Sequence, residues 1–154
     1  MQTPTDHPSP PSQSPPSQSP QERPSPRPSN TRRPGARHNQ ALGARGEEIA
    51  ANYLAARGFD LIARNWRCKY GELDLLMRDG ETIVAIEVKS RSGPGFGSAL
   101  EAITMRKAAR LRRLLLEWAT ETGNRGRALR VDAVGITMRA AGQPPHIDHL
   151  RAIS

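Results

Sequence analysis

Cysteine is nearly absent: Cys68 stands alone. A single thiol forms no internal disulfide and supports no cysteine-based metal site. Long apolar runs are missing too, since no segment approaches the ~20 apolar residues that span a bilayer. Residues 1–38 contain no Leu, Ile, Val, Phe, Trp or Tyr. They have no apolar stretch behind their basic residues, so they do not read as a secretory signal. Their prolines also forbid the amphipathic helix of a transit peptide. The cytoplasm is the location these absences predict. No Ser–His–Asp set, phosphate-binding glycine loop or dinucleotide fingerprint occurs either.

What residues 1–38 do hold is Pro, Ser, Gln and Arg, with eleven of the 14 prolines at or before Pro34. Such a stretch buries too little to offset its ordering entropy, so a disordered, partly polyproline-II tail is expected. Residues 40–154 are then the single folded domain, long enough for one small core. The net charge is +8. Five arginines against Asp6 and Glu22 place +3 in the tail, and 18 basic against 13 acidic residues leave +5 in the domain. A basic surface favours polyanions, although an arginine-rich composition also serves solubility alone.

The apolar pattern gives the element order. Leu42, Ile49, Ala50, Tyr53 and Leu54 recur at helical spacing, predicting a helix over Leu42–Arg57 with Gly58 as its stop. Three strand-like runs follow at Asp60–Arg67, Glu72–Met77 and Thr82–Ser90, and Asp79-Gly80 supplies a hairpin turn between the last two. The third run alternates: Val84, Ile86 and Val88 point one way, while Ile83, Ala85, Glu87 and Lys89 point the other. A Gly/Pro-containing loop over Ser92–Gly97 leads to a long helix, Ser98–Glu121, striped by Leu100, Ile103, Leu111, Leu114, Leu115 and Trp118. A fourth strand, Leu129–Thr137, comes next, and the residues after Pro144-Pro145 read as a short edge strand or a loop. The order αβββαβ predicts an α/β sandwich, a mixed sheet flanked by helices.

Glu72 and Asp74 are two apart on one predicted strand, and Glu87 and Lys89 two apart on its antiparallel neighbour. With a favourable register Asp74, Glu87 and Lys89 converge. Glu87 follows the apolar run Ile83–Ile86, where a charge needs a reason. Two carboxylates with a lysine suit a hard divalent cation, usually Mg²⁺, at a phosphodiester, with the Val88 backbone carbonyl as a third oxygen. The spacing alone leaves this metal site and an ordinary cross-strand salt bridge both open. On a helical wheel Glu47 borders the apolar stripe and can reach the sheet, whereas Glu48 faces water; Glu47 also suits the dipole of a helix's first turn.

Four ordered motifs, Gly43-x-x-Gly46-Glu47-x-x-Ala50, Arg64-Asn65-Trp66-Arg67, Gly71-Glu72-Leu73-Asp74-Leu75 and Glu87-Val88-Lys89-Ser90-Arg91, resemble the signature of the bacterial YraN-type proteins. Phe96-Gly97, Lys107 and Val131–Ile136 fit the same pattern. The resemblance covers about Leu42 to Ile136. It implies a restriction-endonuclease-like core with the PD-(D/E)XK signature, nearest to Holliday-junction resolvases. Asp74 and Glu87 would be its acids, Lys89 its lysine and Glu47 the helix glutamate of the resolvase branch. Leu73 stands where Ile is usual, a small change in packing.

Around this set, Arg106, Arg110 and Arg113 share one helix face and could track phosphates, or form a solvated face. Lys107 lies on the apolar stripe, so it snorkels or its amine reaches the acidic patch; a place near the site is the reading adopted. Arg91, two past Lys89, is a candidate phosphate ligand. Trp66 reads as core before base-stacking, Cys68 as a small filler, and His146, Asp148 and His149 as a polar terminus. Asp132 sits among apolar residues with no chemistry assigned. The expected function is Mg²⁺-dependent (or Mn²⁺-dependent) hydrolysis of nucleic acid, branched or single-stranded DNA. The alternative is a non-catalytic nucleic-acid-binding or assembly module. A homodimer is a candidate assembly because junction substrates are symmetric, but no interface is legible.

Overall fold

The computed structural model describes residues 34–93, 95 and 97–153. The expected tail up to Arg33, and Pro94 and Phe96 of the loop, lie outside the described residues.

Helix α1 spans Pro34–Ala55 and so starts before Leu42. Proline is well suited to a first helical position, where its missing N–H is no loss. The strands are β1 (Asp60–Cys68), β2 (Gly71–Asp79), β3 (Thr82–Ser92), β4 (Ala128–Met138) and β5 (His146–Leu150). They form one sheet in the order β1-β2-β3-β4-β5. Only the β3–β4 pair is parallel. The chain crosses between β3 and β4 through helix α2, Met105–Glu121.

The expected helix over Ser98–Glu121 is two pieces. Ser98 and Glu101 form a capping box on a 3-10 turn, Ala99–Ala102, and Thr104 then caps α2 by accepting from the Lys107 N–H. Two caps six residues apart satisfy the amide donors of two separate starts.

Each face of the sheet is covered by one helix. Ala50 and Leu54 of α1 pack with Leu75, Val84, Ile86 and Val134. Leu111, Leu114, Leu115 and Trp118 of α2 pack with Leu76, Ile83, Ala85 and Val131. The alternation in β3 is therefore real on both sides, and it directs Glu87 and Lys89 toward α2. Trp66 packs partly buried against the α2-side cluster, a core role.

Of the two alternatives left open after Pro144-Pro145, edge strand or loop, the structure has the edge strand, and it is tied down. Asp132, fully buried, accepts from Arg130 Nε at 2.8 Å and from the Ala152 N–H at 2.9 Å, and lies 3.0 Å from His149 Nε2. Asp79 accepts from Arg130 and Arg151 at 2.8 and 2.7 Å, and the Arg130 hydrogen bond holds its carboxyl below the usual carboxylate range. His149 is thus structural, whereas the sequence suggested only a polar terminus, and Asp132, to which the sequence assigned no chemistry, is its structural partner.

Candidate active site

The β2–β3 ladder stops at the Leu75–Ile86 pair. Beyond it the strands no longer share backbone hydrogen bonds, and the Val88 N–H is taken by Asp74 Oδ2 at 2.8 Å. The β2 pattern is irregular at this point. Leu73 joins Leu76 in the α2-side cluster, although Leu75 and Met77 belong to the other. Asp74 therefore sits where the sheet opens, and its carboxylate replaces a missing backbone acceptor for Val88.

A cleft of about 250 Å³ lies in this opening, lined by Glu72, Asp74, Glu87, Lys89, Lys107 and Arg110 over the floor of Leu111 and Leu114. Its three acids and three bases balance in formal charge. Glu87, only 5% exposed, does not carry its charge alone. Its Oε1 lies 2.9 Å from Lys89 Nζ and 2.5 Å from Lys107 Nζ. Burial would lower the Lys89 ammonium, but its hydrogen bond to Glu87 and the nearby Glu87 and Asp74 carboxylates outweigh this and raise it. Asp74 has the opposite environment. Burial first, and then the Glu87 and Glu47 charges, push its carboxyl up to about 6, against the Val88 hydrogen bond and Lys89. Among the described residues, Asp74 makes no ion pair within 4 Å.

Glu47 arrives from α1. It is half-buried while Glu48 is exposed, as the helical wheel predicts. Glu47 does not line the cleft, but its charge is felt at Asp74. Two residues hold it there. Gly46 lets α1 approach β3: a Cβ on it would lie 1.7 Å from Ser90 Oγ. Asn65 of β1 donates from Nδ2 to Glu47 Oε2 at 3.1 Å. Asn65 has a φ of +49°, left-handed in the midst of a strand. It falls between Arg64↔Leu75 and Trp66↔Leu73 in the ladder, level with Asp74. The sequence presents Asn65 only within its basic-aromatic motif. Its low strand propensity inside a strand run is the signal that marks it.

These motifs are shared with known proteins. The model of the family described as "Uncharacterised protein family UPF0102" matches residues 46–136. The chain belongs to this UPF0102 family, the YraN type. A UPF0102 protein of Nocardia farcinica is 50% identical over 114 residues, covering 74% of this chain and 89% of the relative. One from Rhodococcus jostii is 46% identical over 114 residues, covering 74% and 96%. One from Frankia alni is 49% identical over 115 residues, covering 75% and 95%.

The UPF0102 match takes in every residue of the cleft. Arg110 lines it, and Lys107 reaches into it from the α2 stripe. Arg106 is exposed and stands outside the cleft lining. Arg91 turns elsewhere: its Nε donates to Thr137 Oγ1 at 3.2 Å and its Nη2 to the Gly95 carbonyl at 3.1 Å. There it lines a separate concavity of about 470 Å³ with Thr137, Arg139 and His146. Among the described residues, no three His, Cys, Asp or Glu side chains group as a ready ligand set. The Val88 peptide is fixed beside Asp74 by its N–H.

Proposed function

We propose that this UPF0102 chain is a metal-dependent endonuclease, with Mg²⁺ (or Mn²⁺) as its ion and branched or single-stranded DNA as its substrate. The observation that carries the reading is the opening of the sheet at Asp74. It gathers Asp74, Glu87 and Lys89, from two strands, into one polar cleft. The donor set fits a hard cation. Mg²⁺ is typically held by only one or two carboxylates and keeps several waters. Asp74 and Glu87 would hold it with the Val88 carbonyl; the Asp74 carboxyl is raised first by burial and then by the Glu87 charge beside it. When bound, the ion would supply charge stabilisation at the phosphate oxygens and a more acidic water.

The chain's own groups do the rest. Lys89 and Lys107 present ammonium donors to phosphate oxygens and Arg110 anchors the strand beside them, whereas Arg91 and Arg106, outside the cleft, would meet only phosphates farther along the substrate. Glu47 reinforces the negative field at Asp74. No helix among the described residues is long and apolar enough to cross a membrane, and a cytoplasmic location fits the lone Cys68.

A panel of branched, flapped, single-stranded and duplex DNA and RNA in Mg²⁺ and Mn²⁺ tests this. Cleavage is expected, with Asp74→Ala and Lys89→Ala lowering the rate about 100-fold or more while melting as wild type. Silence of the wild-type protein on the whole panel sinks the reading.

One observation favours a second reading, a nucleic-acid-binding module without catalysis. Glu87 already holds two ammonium groups on one oxygen, and a metal must compete with them. In that case binding persists in Asp74→Ala and no substrate is cut.

A further inference from the structure

The chain has only six Phe, Trp and Tyr residues. Phe59 and Trp118 are buried, and Tyr53 and Trp66 pack partly buried against the two cores. Tyr70 alone, among the described aromatics, is exposed, at 44%. Core packing does not explain it.

Its position is built by the β1–β2 hairpin. Cys68 and Gly71 form the last pair of the ladder, so Lys69 and Tyr70 are the two turn residues. The Tyr70 N–H contacts Cys68 Sγ at 3.4 Å, and the Tyr70 carbonyl accepts from Arg110 Nη2 at 3.4 Å. Gly71, at φ +151°, leaves room for that guanidinium: a Cβ there would lie 2.6 Å from Arg110 Nη2. The ring is set among cations. Lys69 Nζ is 4.9 Å and Arg113 Cζ 5.1 Å from its centroid. Arg67, Lys69 and Arg110 line the open hollow beside it. Its single carboxylate, Glu72, is neutralised by Arg67 Nε at 2.7 Å.

This hollow adjoins the Asp74–Glu87 cleft, because Glu72 and Arg110 line both. An exposed aromatic ring among phosphate-binding cations is the arrangement that receives single-stranded nucleic acid: the base stacks and the backbone follows the charges. A duplex offers no such base, since its bases are already stacked. We propose that the β1–β2 turn is a stacking platform for an unpaired nucleotide, with Tyr70 under the base and Arg67, Lys69 and Arg110 on the phosphates. It rests on the nucleic-acid reading of the neighbouring cleft and gives that site its substrate class: an unpaired segment next to the bond to be cut.

Binding is measured without cleavage, by fluorescence anisotropy of the full chain in EDTA, with labelled single-stranded DNA, single-stranded RNA and duplex DNA of one sequence. Tyr70→Ala is expected to weaken binding of at least one single-stranded ligand about fivefold or more, in the range set by removing a base–aromatic stack. Tyr70→Phe should bind as wild type, and duplex affinity should not change. The inference is overturned if Tyr70→Ala binds both single strands as wild type does, if Tyr70→Phe loses as much as Tyr70→Ala, or if the wild-type chain binds neither single strand. A photo-crosslink from a halogenated pyrimidine in the bound strand checks the site without substitution: a crosslink at Tyr70 supports it, and crosslinks confined to other segments overturn it. Because EDTA removes catalysis from the assay, a chain that binds through Tyr70 but cuts nothing in Mg²⁺ sinks the nuclease reading and leaves the platform standing.

Discussion

Asn65 bears a local backbone cost for one hydrogen bond. A left-handed non-glycine residue costs on the order of 1 kcal/mol, less for Asn than for most, and persists where its surroundings fix it. Here the hydrogen bond is to Glu47, level with Asp74. If Glu47 belongs to the metal site, Asn65 is its positioning residue. Asn65→Gly keeps the backbone conformation and removes the amide. It should weaken Mn²⁺ binding in calorimetry about threefold or more, below but near the scale of removing an outer-shell partner, with little change in melting temperature. Unchanged Mn²⁺ affinity would separate Asn65 from the site. Asp74, Glu87 and Lys89 were legible at this scale because strand periodicity ties spacing to facing. Asn65 and Tyr70 were less so: one depends on a backbone dihedral and the other on what the rest of the fold leaves uncovered. Lys107 lay between the two cases. Its place on the apolar stripe was readable, whereas its 2.5 Å approach to Glu87 depends on how α2 crosses the sheet.

Among the elements, β1 to β4 and both helices were readable because their apolar patterns repeat over enough residues to fix a period. The break before α2 was not. Ile103 and Thr104 carry neither Pro nor Gly, so the Ser98 start looked like the start of one long helix. The edge strand β5 was also ambiguous, because its sequence, His146–Leu150, is polar. What holds it is the buried charge of Asp132, shared by His149, Arg130 and the Ala152 N–H. Removing one member of a buried charged set leaves its partners uncompensated, which costs roughly 3–5 kcal/mol. Asp132→Ala should therefore lose about that much in urea unfolding, and hydrogen exchange should report β5 opening before β3. A loss below about 1 kcal/mol, the range of a surface pair, would mean that the network is not what secures the edge. The Asp74–Glu87 cleft lies on the α2 side of the sheet, so this variant separates stability from any chemistry there.

For the whole molecule, charge was the first clue and the weakest. A net +8 predicts attraction to polyanions but neither a face nor a register. Four arginines lie before the described residues and contribute to any bulk affinity, so the salt dependence of the wild-type chain alone cannot locate the interface. The difference between two full-length chains can. Removing one phosphate-neutralising side chain lowers the log–log salt slope by about 0.7 for a single strand. If the strand follows Arg67, Lys69 and Arg110, replacing all three with Ala should reduce the slope by about 2 in anisotropy titrations from low to moderate salt. The N-terminal arginines are common to both proteins and cancel. Asp74→Ala removes a carboxylate rather than a phosphate ligand, so it should leave the slope unchanged even where it abolishes cleavage. An equal slope in the triple variant and the wild type would place the strand on another face, and the hollow beside the cleft would then have no part in binding.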